Sequence, residues 1–334
     1  MKTALVTGAN GFIGRTLCAY LQDKGVHVIA AARDMAGIAQ GLTPLYIPDI
    51  CSPGIWKGRL ESVDVIYHLA GCAHAVKDGH YDAGLRAEDY LYRVNVEATR
   101  KLALSAEAAG VKRLVYISSI KAVGESSEQG LFHEKSPLTP QDNYGRSKRE
   151  AENILWDIAR NSSLEVTILR PPLVYGPGVK GNFLSLLRLC YSAWPLPLER
   201  LQNKRSMVHV SNLAEALYHC GHRRNAAGEI FHLKDEDELP LSILLRNLRT
   251  FMALSPRLFP FPLTMLSWAA QLLGYKEAWE RLSTPLQVDD RKIRTLLKWK
   301  PAISLEEGLK MTVEWYLALQ DAQNSHKEEK LWHM

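Results

Sequence analysis

Cysteine is scarce in this chain and unpatterned: Cys18, Cys51, Cys72, Cys190 and Cys220 are odd in number, widely spaced and without a CxxC pair. That excludes a disulfide framework and fits reduced thiols in a cytosolic protein. Long apolar runs are also missing. The nearest, Leu258 to Gly274, holds Pro260 and Pro262 and precedes a charged helix, so it reads as a buried amphipathic helix and not a membrane span. The opening residues Met1–Val6 run straight into a strand pattern, without the apolar core and cleavage site of a signal peptide. A cytoplasmic location is the expectation. Charge of one sign is weak: the net +5 is spread along 334 residues. It tolerates an anionic ligand but lacks the clustered basic face of a nucleic-acid binder. There is no internal repeat and no low-complexity segment.

The 46% hydrophobic and 23% charged content belong to an ordinary globular protein, long enough for one large or two modest domains. In the first half, short β-branched runs alternate with longer helical patterns. Expected strands are Ala4–Thr7, His27–Ala31, Pro44–Ile47, Val63–Leu69, Leu114–Ser118 and Val166–Leu169, and expected helices are Gly11–Lys24, Ala87–Ala109 and Tyr144–Arg160. Near-continuous apolar strands interleaved with helices predict an α/β fold of Rossmann type, a doubly wound parallel sheet. After Arg170-Pro171-Pro172 prolines cluster and the alternation stops, which predicts a smaller irregular C-terminal lobe. The expected division is a dinucleotide-binding domain over 1–172, rejoined by about 206–232, a substrate lobe over 173–205 and 233–320, and a frayed polar tail over 321–334.

Between the first strand and first helix lies Thr7-Gly8-Ala9-Asn10-Gly11-Phe12-Ile13-Gly14, three glycines at GxxGxxG spacing. Glycines there allow a tight turn and close approach of backbone to a pyrophosphate, which the helix N-terminus then receives. The second strand ends Ala32-Arg33-Asp34. An acidic side chain at that end favours NAD; Arg33 instead suits the 2′-phosphate of NADP, so NADP(H) is favoured with NAD(H) as the alternative. Asp49 and Ile50 follow the third strand, where an adenine ring is held.

Tyr144 and Lys148 stand four residues apart, on one face of a helix. A nearby cation stabilises a phenolate and is expected to lower the tyrosine pKa, so that one oxygen can take or give a proton. Ser119, at the end of the fifth strand, is placed to bond the reacting oxygen.

With these motifs the chain resembles the extended short-chain dehydrogenase/reductases, the group of nucleotide-sugar epimerases, dehydratases and 4-keto reductases. The resemblance spans nearly the whole chain: the glycine turn, His68-Leu69-Ala70-Gly71, Asn95-Val96-x-x-Thr99, Ser118-Ser119, Tyr144-x-x-x-Lys148, Arg170 to Pro177, Arg205 to Val210 and Trp299-x-Pro301. It implies Ser119, Tyr144 and Lys148 as the catalytic set. It places Leu69, Ala70, Gly71 and Pro171 beside the cofactor and makes Asn95 a buried brace. It implies Asn182 and Arg205 at the phosphates of a UDP-linked sugar, and a homodimer through the helices Ala87–Ala109 and Tyr144–Arg160. Lys121, His133 and His74 are candidate sugar contacts.

Departures narrow the reaction. The family's dehydratases carry Asp-Glu after the catalytic Ser/Thr, and this chain has Ile120-Lys121. Leu173 stands where epimerases commonly place asparagine. Arg33, the Ser119-Ile120-Lys121 variant and the run Pro171 to Phe183 point toward reduction, and the last two resemble reductases of bacterial surface-polysaccharide (O-antigen) loci acting on UDP-4-keto-6-deoxy-hexosamines. A C4 epimerase with tightly held NAD is the alternative, and a non-catalytic dinucleotide sensor a remote one. No metal is expected: His74 and His80, near Asp78 and Asp82, match no ligand spacing. Trp194, Trp268, Trp279 and Trp299 read as core or lobe packing.

Overall fold

The computed structural model describes residues 1–73, 86–192 and 194–332. The first half runs β1 (Thr3–Thr7), α1 (Phe12–Asp23), β2 (His27–Ala32), β3 (Thr43–Tyr46) and β4 (Val65–His68). It continues through α2 (Ala87–Tyr92), a π-helical turn (Arg93–Glu97), α3 (Ala98–Ala108), β5 (Arg113–Ile117), α4 (Asn143–Arg160) and β6 (Glu165–Arg170). The expected strands and helices all form, within a few residues of their predicted ends. One difference is the π turn, which interrupts the expected continuous helix over 87–109.

Among the described residues, seven strands form one sheet in the order β3-β2-β1-β4-β5-β6-β9, with β9 (Ile230–His232) last. Every pairing in it is parallel. The strand order reverses between β1 and β4, and the crevice beyond their carboxyl ends is where such sheets bind ligands. Both faces are covered, which is why the strands are apolar at nearly every position. Ala4 and Val6 of β1 pack with Leu17 and Leu21 of α1, and with Leu213 and Leu217 of α6 (Val210–His222). Leu5, between them, packs on the other face with Leu102 and Ala106 of α3 and Leu155 of α4.

The remaining elements are β7 (Leu173–Tyr175), α5 (Gly181–Tyr191), β8 (Met207–His209), α7 (Leu241–Phe251), α8 (Leu263–Leu272), α9 (Lys276–Ser283), α10 (Arg291–Leu297) and α11 (Leu305–Trp332). β7 and β8 make a separate parallel pair. Phe183, Leu187, Leu244, Leu248, Leu309 and Tyr316 form a third core beneath them. The polar stretch from Asp321 continues α11 as helix.

Two expectations fail in this region. The segment Leu258–Gly274 is not a buried helix: α8 has no fully buried residue. Trp194 and Trp268 are exposed, at 78% and 75%, and of the four tryptophans only Trp299 is a true core residue. Trp279 lies partly buried against the third core. Apolar composition predicted burial, but the lobe beneath α8 accepts only one side of it. No helix among the described residues is long and apolar enough to cross a membrane.

Candidate active site

The glycine turn is shaped by contacts that side chains would block. Gly8 has φ +69°, and a Cβ on it would lie 3.0 Å from the Ala70 amide nitrogen. A Cβ on Gly14 would fall 2.1 Å from the Gly8 carbonyl oxygen. The chain therefore passes tightly from β1 into α1, whose N-cap, Gly11, has no side-chain bond to the first free N–H groups. That leaves donors and a positive dipole end for an anion. Phe12 and Ile13 lie in this first turn, and Asn10 Nδ2 donates to the Asp34 carbonyl (2.9 Å), tying the turn to the end of β2. Arg33 is exposed there, while Asp34 accepts the Ala36 N–H (2.8 Å) and so closes its own turn. Asp49 accepts from Arg93 (2.7 Å) and from the Cys51 N–H (2.9 Å). Burial works against its charge, but those bonds outweigh it and hold the carboxyl below its usual range. Ile50 packs beside it against the sheet core.

Beneath the turn, polar groups are wired in a single direction. Thr99 Oγ1 donates to the Asn95 carbonyl (2.7 Å), so it accepts from His68 Nε2 (2.9 Å). His68 Nδ1 is then an acceptor for Thr7 Oγ1 (2.8 Å), whose own oxygen receives the Leu69 and Ala70 amides at 3.2 and 3.1 Å. Burial drives the imidazole down to about 3, so His68 is neutral. The spacing of the motifs did not reveal this role for His68.

Asn95 sits in the π turn, fully buried. Its Oδ1 accepts the Cys72 N–H (2.8 Å), and its Nδ2 donates to the Cys72 carbonyl and to Ser147 Oγ, both at 2.9 Å. It joins the segment following β4 to α4, the helix that carries Tyr144 and Lys148. Lys148 Nζ donates to the Ile117 carbonyl (2.9 Å) and the Tyr116 hydroxyl (3.2 Å), and lies 5.8 Å from the Tyr144 ring centre. Two of its three N–H groups are thus engaged among the described residues. Burial pulls its pKa down to about 8, partly opposed by the Glu152 carboxylate. Gly71 packs close to it: a Cβ there would stand 3.1 Å from Asn95 Oδ1 and 3.4 Å from Nζ.

The structure brings Ser119, Tyr144 and Lys148 together, but the electrostatics reverse the expectation for the phenol. Burial pushes Tyr144 up to about 12, opposed by a hydrogen bond from Ser119. Desolvation of a phenolate, helped by the nearby Asp142 charge, outweighs the Ser119 bond, and Tyr144 keeps its proton at neutral pH. Ser119 also caps the short turn Ile120–Ala122, accepting from the Lys121 N–H (3.2 Å), and the Ile120 N–H donates to the Pro171 carbonyl (3.0 Å).

Lys121 Nζ is held by two carboxylates, donating to Asp142 Oδ2 (2.6 Å) and Glu125 Oε1 (3.2 Å). The other Asp142 oxygen caps α4 by accepting the Gly145 N–H (2.6 Å).

The remaining candidates lie in the second lobe or elsewhere. Arg205 Nη1 donates to the Arg281 and Thr284 carbonyls, at 2.8 and 2.6 Å, and burial lowers its pKa to about 10 against the pull of Glu125. Asn182 is exposed in the first turn of α5. His133 is an exposed turn residue whose Nδ1 accepts the Lys135 N–H (3.2 Å). His74 and His80 lie outside the described residues. A pair that no motif spacing indicated is Arg170 with Glu152: both are buried, and Arg170 Nε and Nη2 donate to the carboxylate at 2.9 and 2.5 Å. It clamps the end of β6 to α4.

A glycine turn at a sheet's reversal point, with a Ser-Tyr-Lys cluster beside it, defines a class. The family model described as NAD dependent epimerase/dehydratase matches residues 4–233, and the chain belongs to that family of NAD-dependent enzymes. Its sequence is 36% identical over 320 residues to a UDP-glucose 4-epimerase of Vibrio cholerae, covering 95% of this chain and 96% of the relative. Its fold is similar to that of a UDP-glucose 4-epimerase from Thermotoga maritima, solved with UDP-glucose, at TM-score 0.75 and 22% identity, over 95% of this chain and 99% of that one. A dTDP-glucose 4,6-dehydratase from Bacillus anthracis, solved with NAD, gives TM-score 0.75 at 19% identity, over 96% and 98% of the two chains.

Proposed function

We propose that the protein reduces the C4 ketone of a UDP-linked 4-keto-6-deoxy-N-acetylhexosamine, with NADPH as hydride donor, in the building of a surface polysaccharide. The observation that carries this reading is Arg33, exposed at the end of β2 beside the glycine turn, with Ile120 and Lys121 where the family's dehydratases carry an acid–base pair. In this reading the protonated phenol of Tyr144 is the acid for a ketone oxygen that gains charge. Gly8 and Gly14 let the turn pack against its own backbone and that of Leu69 and Ala70, and the α1 N-terminus, uncapped by any side chain, presents N–H groups that fit a dinucleotide pyrophosphate. A bound nicotinamide supplies the hydride. Tyr144 donates its proton to the C4 oxygen, Ser119 bonds the same oxygen, and Lys148 holds positive charge beside the phenolate left behind. Exposed Arg33 supports NADP(H) through its 2′-phosphate.

In this reading residues 1–172 and 206–232 hold the dinucleotide, and 173–205 with 233–320 hold the nucleotide-sugar. Arg205 and Asn182 serve the diphosphate. Two copies pair through α3 and α4, with Leu104 of α3 exposed, and the protein works in the cytoplasm. Light scattering that returns a monomer overturns the pairing.

The likeness to a UDP-glucose 4-epimerase favours a second reading, C4 epimerisation with retained NAD. Purified protein is given a UDP-4-keto-6-deoxy-HexNAc with NADPH or NADH, and the nicotinamide absorbance is followed. Reduction predicts rapid NADPH oxidation, abolished in Tyr144→Phe, and a rise in KM for NADPH alone in Arg33→Ser. No oxidation, with interconversion of UDP-glucose or UDP-GlcNAc and their galacto partners, establishes the epimerase instead.

A further inference from the structure

Buried polar atoms in folded proteins are nearly always paired, so each exception asks for a partner. Among the described residues seven buried side-chain nitrogens and oxygens have none, and three of the seven stand in one row: Ser118 Oγ, Arg170 Nη1 and His232 Nε2. β5 and β6 pair Ile117 with Leu169, and the Ser118 N–H donates to the Leu169 carbonyl (2.7 Å), so Ser118 and Arg170 are the next pair. β6 and β9 pair Arg170 with His232. Side chains in register on neighbouring strands share a face of the sheet. Here it is the α4 face: two residues earlier on each strand, Tyr116, Ile168 and Ile230 pack in or against the core that holds Ala151 and Leu155 of α4. No residue of the row is more than 2% exposed.

The row has a defined polarity. Arg170 engages Glu152 through Nε and Nη2, at 2.9 and 2.5 Å, and its Nη1 can only donate. His232 Nδ1 lies 3.2 Å from the Phe132 carbonyl, which can only accept, so Nδ1 carries the ring hydrogen. Burial and the Arg170 charge pull the imidazole down to about 3, so the ring is neutral and Nε2 is a bare acceptor. Ser118 Oγ can donate or accept. An anion in this row accepts from Arg170 but offers nothing to His232. A cation suits His232 Nε2 but is repelled by the guanidinium. Water accepts from the one, donates to the other and keeps a further bond for the serine; a buried water typically makes about three.

We propose that a water molecule is bound in this row as a fixed part of the fold, accepting from Arg170 Nη1, donating to His232 Nε2 and bonded to Ser118 Oγ. The site lies one residue behind Ser119 and Pro171, where the Ile120 N–H donates to the Pro171 carbonyl (3.0 Å). It joins β9, which enters the sheet last, to the Arg170–Glu152 clamp on α4 and to the strand end that presents Ser119. The site is independent of which reaction the protein carries out.

A crystal structure of the full chain that shows ordered solvent tests the site directly. One solvent peak is expected within hydrogen-bond distance of Arg170 Nη1 and His232 Nε2, with Ser118 Oγ as its third partner and no anomalous signal after a bromide soak. Urea unfolding checks the sharing in solution. Ser118→Ala and His232→Leu are each expected to lower the midpoint, and the double variant to lose clearly less than the sum, because the second change acts on a water already released. The two positions stand two strand spacings apart, about 10 Å, so without a shared partner their losses add. His232→Gln keeps an acceptor for the water and is expected to lose less than His232→Leu. The crystal uses the native chain, so its outcome stands even where a variant fails to fold. An empty position, an anomalous bromide peak, a direct bond between Arg170 Nη1 and His232 Nε2, or additive losses each overturn the proposal.

Discussion

One carboxylate, Asp142, both caps the helix that carries Tyr144 and receives the ammonium of Lys121 at 2.6 Å. The residue that follows Ser119 in the chain by two positions thus reaches the start of α4 through an ion pair, and the two halves of the candidate site are fastened at their entrance. Burial works against the Asp142 charge, but the Lys121 and Gly145 bonds outweigh it and keep its pKa low.

Asp142→Ala is expected to cost about 1–2 kcal/mol by urea unfolding, the usual loss for an N-cap. Asp142→Asn keeps a capping oxygen and is expected to lose less. Because the folded pKa is depressed, the wild-type advantage over Asp142→Asn is present above the unfolded carboxyl pKa and disappears as pH falls through the folded value. An advantage that grows on acidification contradicts this account.

Lys148 gives two pH responses of opposite sign. Its folded pKa is about 8, below its usual 10.5. Between those values the unfolded chain binds more protons than the folded one, so this group's contribution to stability rises with pH. Its proposed task needs the ammonium, so turnover is expected to fall through pH 8. Comparing wild type with Lys148→Met isolates both effects: the variant lacks the alkaline rise in stability relative to wild type, and its residual turnover is flat through pH 8.

Glu152→Gln removes one partner of a buried pair and leaves the Arg170 guanidinium uncompensated, which costs about 3–5 kcal/mol. Chemical denaturation measures that loss, and Glu152→Leu with Arg170→Met is expected to recover most of it. Since Glu152 holds the Lys148 pKa up, Glu152→Gln also moves the alkaline limb of turnover to lower pH. A limb that stays in place separates the clamp from the lysine.

The strands of the main sheet were legible because burial on both faces requires apolar residues at consecutive positions, as Ala4, Leu5 and Val6 show. Gly8 and Gly14 were legible because backbone contacts exclude any side chain there. The proximity of Ser119, Tyr144 and Lys148 followed from helical spacing and a strand end. What spacing could not convey is dielectric: the same closeness that suggested a lowered tyrosine pKa comes with a burial that raises it. Nor does a charged residue announce its partner. Lys121 is held by Asp142 and Glu125, and Arg205 Nη1 donates to carbonyls 76 and 79 residues away, partners that no spacing displays. The apolar run over α8 predicted burial because composition does not say which side of a helix the fold covers.

The π turn at Arg93–Glu97 makes chain length itself a functional quantity. It adds a residue to what is otherwise one helix, and each residue in a helix turns its successors by about 100°. Deleting one position there would regularise the backbone and yet rotate either Asn95 away from Cys72 and Ser147, or Thr99 away from His68. Substitutions on the solvent side of this helix are absorbed locally, whereas a single-codon deletion would uncouple the glycine turn from α4 without touching either.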